Sequence, residues 1–383
     1  MRIAQVAPLH ESVPPKKYGG TERVVHVLTE ELVGRGHDVT LFASGDSRTS
    51  AELHACVPQA LRLGRQPVDP TVSETLQLEA VCRQAHRFDV IHFHTGHLHF
   101  PLSSRLGVPH VTTQHGRLDL AELPALYRVF AETPLVSISD HQRTPLPQAN
   151  WQATIHHGLP PDRYALVPEA EDYLVFVGRV APEKRLDRAI AIAAAAGLPL
   201  RVAAKVDRVD RDYFQSMIEP LIAGNPLVEF VGEIDDVDKQ AFIGRARALL
   251  FPIDWPEPFG LVMIEAMACG TPVIAWRNGS VPEVLLDGVT GFVVDSHEAA
   301  VAAVERLATI DRAGVRAVFE ARFTARRLGD DYERLYGSLS RPRWAGCQPA
   351  NPAPAFARER EPQSRRDCPR YAAAAADGEA LER

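Results

Sequence analysis

The chain has 383 residues, room for two domains of ordinary size each with its own core, and its 45% apolar share is that of a globular protein rather than a disordered one. A net charge of −7 with no dense basic stripe in the first 340 residues argues against a nucleic-acid partner. No apolar run could span a bilayer and the Met1–Val6 start is too short for a signal-peptide core, so a cytoplasmic location is expected, while five scattered cysteines without a Cys-x-x-Cys pair suggest neither a disulfide framework nor a zinc site.

Arg2 to Ala7 reads as a buried strand. After a proline-rich loop, Val24, Val25, Leu28 and Leu32 recur at helical spacing up to Gly36, and Asp38-Val39-Thr40-Leu41-Phe42-Ala43 follows as a strand, giving a strand–helix–strand unit with parallel pairing. Between the first strand and the helix stands Lys17-Tyr18-Gly19-Gly20-Thr21-Glu22. A glycine pair at the carboxyl end of a first strand is where open α/β sheets bind ligands, although this one lacks the third glycine of the dinucleotide fingerprint.

Phe88 to His94 is a further strand, and with His97 and His99 it gathers four histidines into eight residues. His92 and His94 share a face of that strand, a spacing some metal sites use. Only Asp89, at the strand's start, could add an acidic ligand, so polar packing near a cleft is the preferred reading. Val108 to Thr113 runs into Gln114-His115-Gly116-Arg117, which leaves His115 at a strand's carboxyl end. Pro134 to Ser139 is the next strand, followed by Asp140 and Arg143, and Ile155-His156-His157-Gly158 is a turn leading into a linker over Pro160-Pro161 and Pro168 to Asp172.

A second set of strands and helices opens at Tyr173-Leu174-Val175-Phe176-Val177-Gly178-Arg179. Lys184 stands five residues past Arg179, ahead of a helix through Ile190, Ile192 and Ala193 to Gly197. Two cations meeting at a strand end fit a diphosphate. Leu198 to Ala203, Val228 to Val231 and Ala248 to Pro252 read as further strands. Asp210-Arg211-Asp212 has the form of a cation-holding Asp-x-Asp element, but it falls at a helix start, where acids cap and complement the dipole.

Trp255 to Gly270 carries the most chemistry. Pro258 biases Glu257 out of the α region, so Glu257 lies in a loop just before a helix that Gly270 ends. The unpaired N–H groups of Gly260, Leu261 and Val262 make an anion cradle, and Gly260 brings no side chain between it and a phosphate. Glu265 sits in the second turn of a helix that Val262, Met263, Ile264, Ala266 and Met267 make apolar almost all round. A buried acid there needs a partner, and a ligand hydroxyl would serve. Two acids flanking an anion cradle suit a ligand with a negative middle and hydroxyl-rich ends, which is the layout of a sugar nucleotide. Beyond it lie strands at Pro272 to Trp276 and Gly291 to Val294, with Asn278-Gly279-Ser280-Val281-Pro282-Glu283 between. A last helix from Thr324 to Leu339 repeats Leu328, Tyr332, Leu335 and Leu339, and from Ser340 onward the patterning gives way to a tail expected to be disordered.

The two glutamates eight positions apart around Pro258-Phe259-Gly260-Leu261 resemble the signature of the retaining family 4 glycosyltransferases of the GT-B fold, and the likeness extends over nearly all of residues 1 to 340. It implies an α/β architecture of two Rossmann-like domains facing across a cleft. The first would span 1–165 and the second 166–323, with helix 324–339 crossing back onto the first and 340–383 as the tail. By resemblance, Glu257 reaches the transferred sugar, Glu265 holds the ribose hydroxyls, His115 faces the donor sugar, and Gly19-Gly20 approaches donor phosphates and acceptor. Arg179 and Lys184 match the family's diphosphate-binding Gly-Arg…Lys motif. The chain departs from the family pattern at His157, where asparagine is usual, at Arg185, usually glycine or asparagine, and at Gly279-Ser280, usually a glycine pair.

The expected activity is transfer of a sugar from a nucleotide donor to an acceptor hydroxyl with retention, and neither metal nor cofactor. The acceptor, whether saccharide, lipid or small molecule, is not specified by sequence. Rival readings are a sugar-nucleotide epimerase of the same fold, which would act without an acceptor, and a sugar-nucleotide binder without turnover. A metal-dependent hydrolase built on His92 and His94 is a third.

Overall fold

The parallel pairing expected from the alternation of apolar strands with helices is present in a computed structural model that describes residues 1–16, 19–64 and 69–339. Among these, the first sheet holds β1 (Arg2–Val6), β2 (Asp38–Ser44), β3 (Glu52–Val57), β4 (Val90–Phe93), β5 (His110–Thr113), β6 (Leu135–Ser137) and β7 (Trp151–Thr154). The second holds β8 (Leu174–Arg179), β9 (Leu200–Lys205), β10 (Val228–Gly232), β11 (Ala248–Phe251), β12 (Val273–Trp276) and β13 (Gly291–Val294). The strand orders are β3-β2-β1-β4-β5-β6-β7 and β10-β9-β8-β11-β12-β13, with neighbouring strands parallel throughout. Strands such as β1, β4 and β12 are buried on both faces because helices cover each side.

Each order reverses direction once, between β1 and β4 in the first sheet and between β8 and β11 in the second. Loops leaving the carboxyl ends of strands on either side of such a reversal diverge and leave a crevice. Gly19 and Gly20, at the start of the Gly20–Gly34 helix, stand at the first reversal, and Lys184 follows β8 at the second.

One core cluster joins the first sheet to two helices. Ile3, Val39, Val90, Val111 and Val136 pack with Val24, Leu28 and Leu32 of the Gly20–Gly34 helix and with Leu328, Tyr332, Leu335 and Tyr336 of the Ala325–Leu339 helix. The chain's final described helix therefore lies on the first sheet after the second sheet is complete. Its approach is anchored where Leu159 N donates to Phe323 O and Ala325 N to Leu159 O, both at 2.8 Å. A second link runs through Glu283, whose carboxylate accepts from the backbone N–H of Asp140 at 2.7 Å and of His141 at 2.6 Å. Glu283 thus clasps the two halves together.

Among the elements that escape the sequence reading are the edge strand β3, the strand β7 and the Pro70–Gln84 and Leu123–Val129 helices. Lys17 and Tyr18, and the tail from Ser340, lie outside the described residues.

Candidate active site

Between the two halves is a cleft of about 370 Å³. The first half contributes Gly19, Gly20, Thr21, Arg23, His115 and His157, and the second contributes Lys184, Lys205, Glu233, Lys239, Glu257, Phe259, Gly260, Leu261 and Glu265. Among the described residues its lining carries four cations and three carboxylates, a positive balance in a negatively charged chain.

The loop bearing Glu257 is fixed from below. Ser280 N donates to Glu257 O and Ser280 Oγ to Phe259 O, each at 2.9 Å, while Asn278 Nδ2 donates to Ile253 O. Between them Gly279 has φ +58, and a Cβ there would stand 2.3 Å from the Glu257 backbone. The serine that replaces the usual second glycine therefore has a use, since its hydroxyl ties down the carbonyl of Phe259. Gly260, at φ +77, starts the Leu261–Ala268 helix in a left-handed conformation, with Met263 Cε 2.7 Å from where a Cβ would be. Glycine is needed there for the turn itself, apart from any ligand.

Glu257 is buried and accepts from Trp255 Nε1 at 2.9 Å and from Lys184 Nζ. The ammonium also lies 4.6 Å from the centre of the Trp255 ring, so the aromatic face and the carboxylate hold one cation together. Lys184 ends a short turn whose next residue, Arg185, has φ +54. That left-handed position accounts for the glycine or asparagine usual there. Arg185 occupies it while bonded to Asp187 and Asp254, both at 2.8 Å.

Arg179 does not line the cleft. Its guanidinium is turned to Glu183 at 2.5 Å, Asp210 at 3.5 Å and Asp207 at 4.0 Å. This corrects the paired-cation expectation, because three carboxylates on neighbouring turns outweigh the pull of an exposed strand end. It also corrects the reading of Asp210, whose side chain caps no helix N–H and instead faces Arg179. Burial raises the Asp210 carboxyl above its usual range against the opposing pull of Arg179.

Glu265 is buried, as its apolar helix implied, and it has protein partners: Lys239 Nζ at 2.6 Å, Tyr164 Oη at 3.5 Å and, from the first half, Arg23 Nε at 3.9 Å. Two cations that sequence reading did not single out, Arg23 and Lys239, thus flank the acid assigned to the ribose.

His115 lies at the first half's rim. Its Nε2 is 2.9 Å from His94 Nδ1, its Nδ1 is enclosed without a partner, and burial lowers its pKa to about 3. His157 stacks on it with ring centres 5.4 Å apart, and meets Phe259 edge-on at 4.8 Å. The histidine in the usual asparagine position is therefore part of the cleft wall. His92 and His94 are committed to Tyr336, Thr113, Gln5 and His115, and among the described residues no group of three histidine, cysteine or acidic side chains could hold a metal. Nor does any helix among them have the length and apolarity to cross a membrane.

The structure thus brings Gly19, Gly20, His115, Lys184, Glu257, Phe259, Gly260, Leu261 and Glu265 to one cavity and leaves Arg179 outside it. A carboxylate beside a held ammonium, an exposed helix start and a second acid between cations can accept hydroxyls at both ends and offset negative charge in between.

The profile described as Glycosyl transferases group 1 matches residues 163–318, and that described as Glycosyltransferase Family 4 matches residues 18–170. The D-inositol 3-phosphate glycosyltransferase of Streptomyces scabiei is 30% identical, over 78% of this chain and 80% of its own. The glycogen synthase of Mycobacterium tuberculosis is 28% identical over 87% of this chain and 91% of its own. Among solved structures, a glycosyltransferase involved in avilamycin A biosynthesis superposes with a TM-score of 0.67 at 26% identity, covering 88% of this chain and 98% of that one.

Proposed function

Since the chain belongs to the family 4 glycosyltransferases of the GT-B fold, we propose that it moves a glycosyl group from a nucleoside diphosphate donor to an acceptor hydroxyl, with retention and without a metal ion. The observation that carries this reading is the meeting of Lys184, Glu257 and the Gly260 helix start with Glu265 and His115 on one cavity. The halves 1–165 and 166–323 act as acceptor-side and donor-side domains, joined at the linker and at Glu283.

Glu265 receives the ribose hydroxyls and Glu257 those of the transferred sugar. The diphosphate lies between them, against the N–H groups that open the Leu261–Ala268 helix and against Lys184, which keeps donor hydrogens after bonding Glu257. As the glycosidic bond breaks, charge collects on the leaving diphosphate, and these groups stand ready before it does. Lys205, Lys239 and Arg23 on the lining add to the positive field. No side chain is required as a nucleophile, so the acceptor attacks on the leaving-group face and the diphosphate takes its proton.

The test is incubation with a panel of nucleotide sugars and acceptors that includes a glucan and an inositol phosphate, since relatives bear both names. Release of nucleoside diphosphate only when an acceptor is present, with the donor's anomeric configuration kept in the product and no loss of rate in chelator, is expected. Turnover without acceptor would favour the epimerase, and a trapped covalent glycosyl-enzyme would remove the front-face route.

A further inference from the structure

The histidines of the first sheet form one hydrogen-bonded network that starts on the final helix and ends at the cleft. Gln5 Nε2 donates to Tyr336 Oη at 3.1 Å, and Gln5 Oε1 is 2.6 Å from His94 Nε2. His94 Nδ1 is 2.9 Å from His115 Nε2. On the other branch Tyr336 Oη is 2.6 Å from His92 Nδ1, and His92 Nε2 is 2.7 Å from Thr113 Oγ1. Gln5, His92, His94, Thr113 and Tyr336 are all buried, so water does not compete for these bonds.

The network has a direction. An amide oxygen only accepts, so the hydrogen between Gln5 and His94 belongs to His94 Nε2. A neutral imidazole carries one hydrogen, which leaves His94 Nδ1 a lone pair that must accept from His115 Nε2–H. His115 Nδ1 is then a bare lone pair, and it is the ring atom that the protein leaves without a partner. Tyr336, having accepted from Gln5, donates to His92 Nδ1, and His92 Nε2–H donates to Thr113. Turning the Gln5 amide over would reverse each of these bonds and put a hydrogen on His115 Nδ1 instead. Burial keeps the rings of His92, His94 and His115 neutral, so a doubly protonated ring does not break the sequence.

We propose that Gln5 is a positioning residue that fixes the tautomer of His115 through His94, so that the enclosed Nδ1 keeps an acceptor's lone pair, which suits a sugar hydroxyl rather than a phosphate oxygen once binding opens the ring to the ligand. The ligand half of this statement rests on the glycosyl-transfer reading, and the tautomer half does not. Tyr336 supports Gln5 by accepting its amide hydrogen, which couples the final helix to the rim of the cleft.

Nitrogen-15 NMR of the imidazole rings in the full, ligand-free protein reads the tautomer directly. His115 is expected as a single Nε2–H tautomer, and Gln5→Met, which keeps bulk but not polarity, is expected to bring in the Nδ1–H form. Tyr336→Phe removes one hydroxyl and should do the same to a smaller extent, which serves if Gln5→Met fails to fold. In Gln5→Met, affinity for UDP or GDP should hold within about twofold, while affinity for the matching nucleotide sugar falls about tenfold, one hydrogen bond's worth. His115 found with its hydrogen on Nδ1 in the wild type, or Gln5→Met and Tyr336→Phe both leaving the Nε2–H form untouched, overturns the proposal. A tautomer shift in a protein that binds no nucleotide sugar would uphold the Gln5 role and remove the glycosyl-transfer reading instead.

Discussion

Lys184 is held by a carboxylate on one side and by the rings of Trp255 at 4.6 Å and Phe251 at 5.8 Å on another. A contact from such a cation to a phosphate contributes about 1.5 to 3 kcal/mol, and each ~1.4 kcal/mol is tenfold in rate. Lys184→Ala is therefore expected to slow turnover tenfold to a hundredfold in an initial-rate assay. Arg179→Ala is expected to slow it by less than about tenfold, because that guanidinium faces Glu183, Asp207 and Asp210 and not the cleft. An equal loss for both would return Arg179 to the diphosphate. At Gly260 the left-handed backbone and the 2.7 Å approach of Met263 Cε make Gly260→Ala destabilising by about 1 to 3 kcal/mol in urea unfolding. That Glu257, Gly260, Glu265 and Lys184 would meet at one cavity was legible because their placement follows from local order, a loop before a helix and a strand end. Lys239 and Arg23 were not, because what gives them meaning is Glu265, which is 26 positions beyond one and in the opposite half from the other. Arg179 was misread for a similar reason, since two of its three acids, Asp207 and Asp210, reach it only when β8 and β9 end side by side.

The Ala325–Leu339 helix shows the strongest periodicity in the chain, with Leu328, Tyr332, Leu335 and Tyr336 buried. Its destination, the first sheet, came from the family resemblance, since periodicity says only that a face must be covered. Leu328 is fully buried against Val24, Leu28 and the sheet, so Leu328→Ala should cost about 2 to 5 kcal/mol of unfolding free energy by chemical denaturation. A cost under 1 kcal/mol would mean that the helix lifts off without unfolding the rest. The elements missed have the opposite character. In the Pro70–Gln84 helix Val72 and Leu76 are 59% and 62% exposed, while Gln77 is buried and donates to Ala7 O and Phe42 O, so the apolar stripe that marks a core-facing helix is broken. Only its cap, where Asp69 accepts from Thr71 N ahead of Pro70 at the first helical position, announced it. The edge strand β3 is half-exposed, with Glu52 and His54 among its residues, and so lacks the nearly continuous burial of β1 or β4.

For the molecule as a whole, the buried histidines set how stability responds to acid. Burial holds His92, His94, His99 and His157 well below the ordinary 6.5, lowers His110, and brings His115 to about 3. Unfolding frees all six to titrate near 6.5, so below that pH the unfolded chain binds more protons than the folded one and stability falls as pH falls. For His115 the window runs from 6.5 down to about 3, and through it the loss approaches about 1.4 kcal/mol per pH unit. Glu22 works the other way. Burial raises its carboxyl to about 7, so its contribution is present below the unfolded value of 4.5 and lost as pH rises from there to 7. Asp210, also raised by burial, acts in the same sense as Glu22, but two carboxyls opposing six histidines leave the histidines in control, and the melting temperature should drop between pH 6.5 and pH 5. The two halves should respond together, because the titrating network joins β1, β4 and β5 to the helix that returns from the second half, and protonating it breaks side-chain bonds between that helix and the first sheet. Calorimetry across this range decides the matter. A melting temperature that stays level from pH 7 to pH 5 would mean that these rings meet water in the folded protein, and that the directed network from Tyr336 to His115 is open rather than closed.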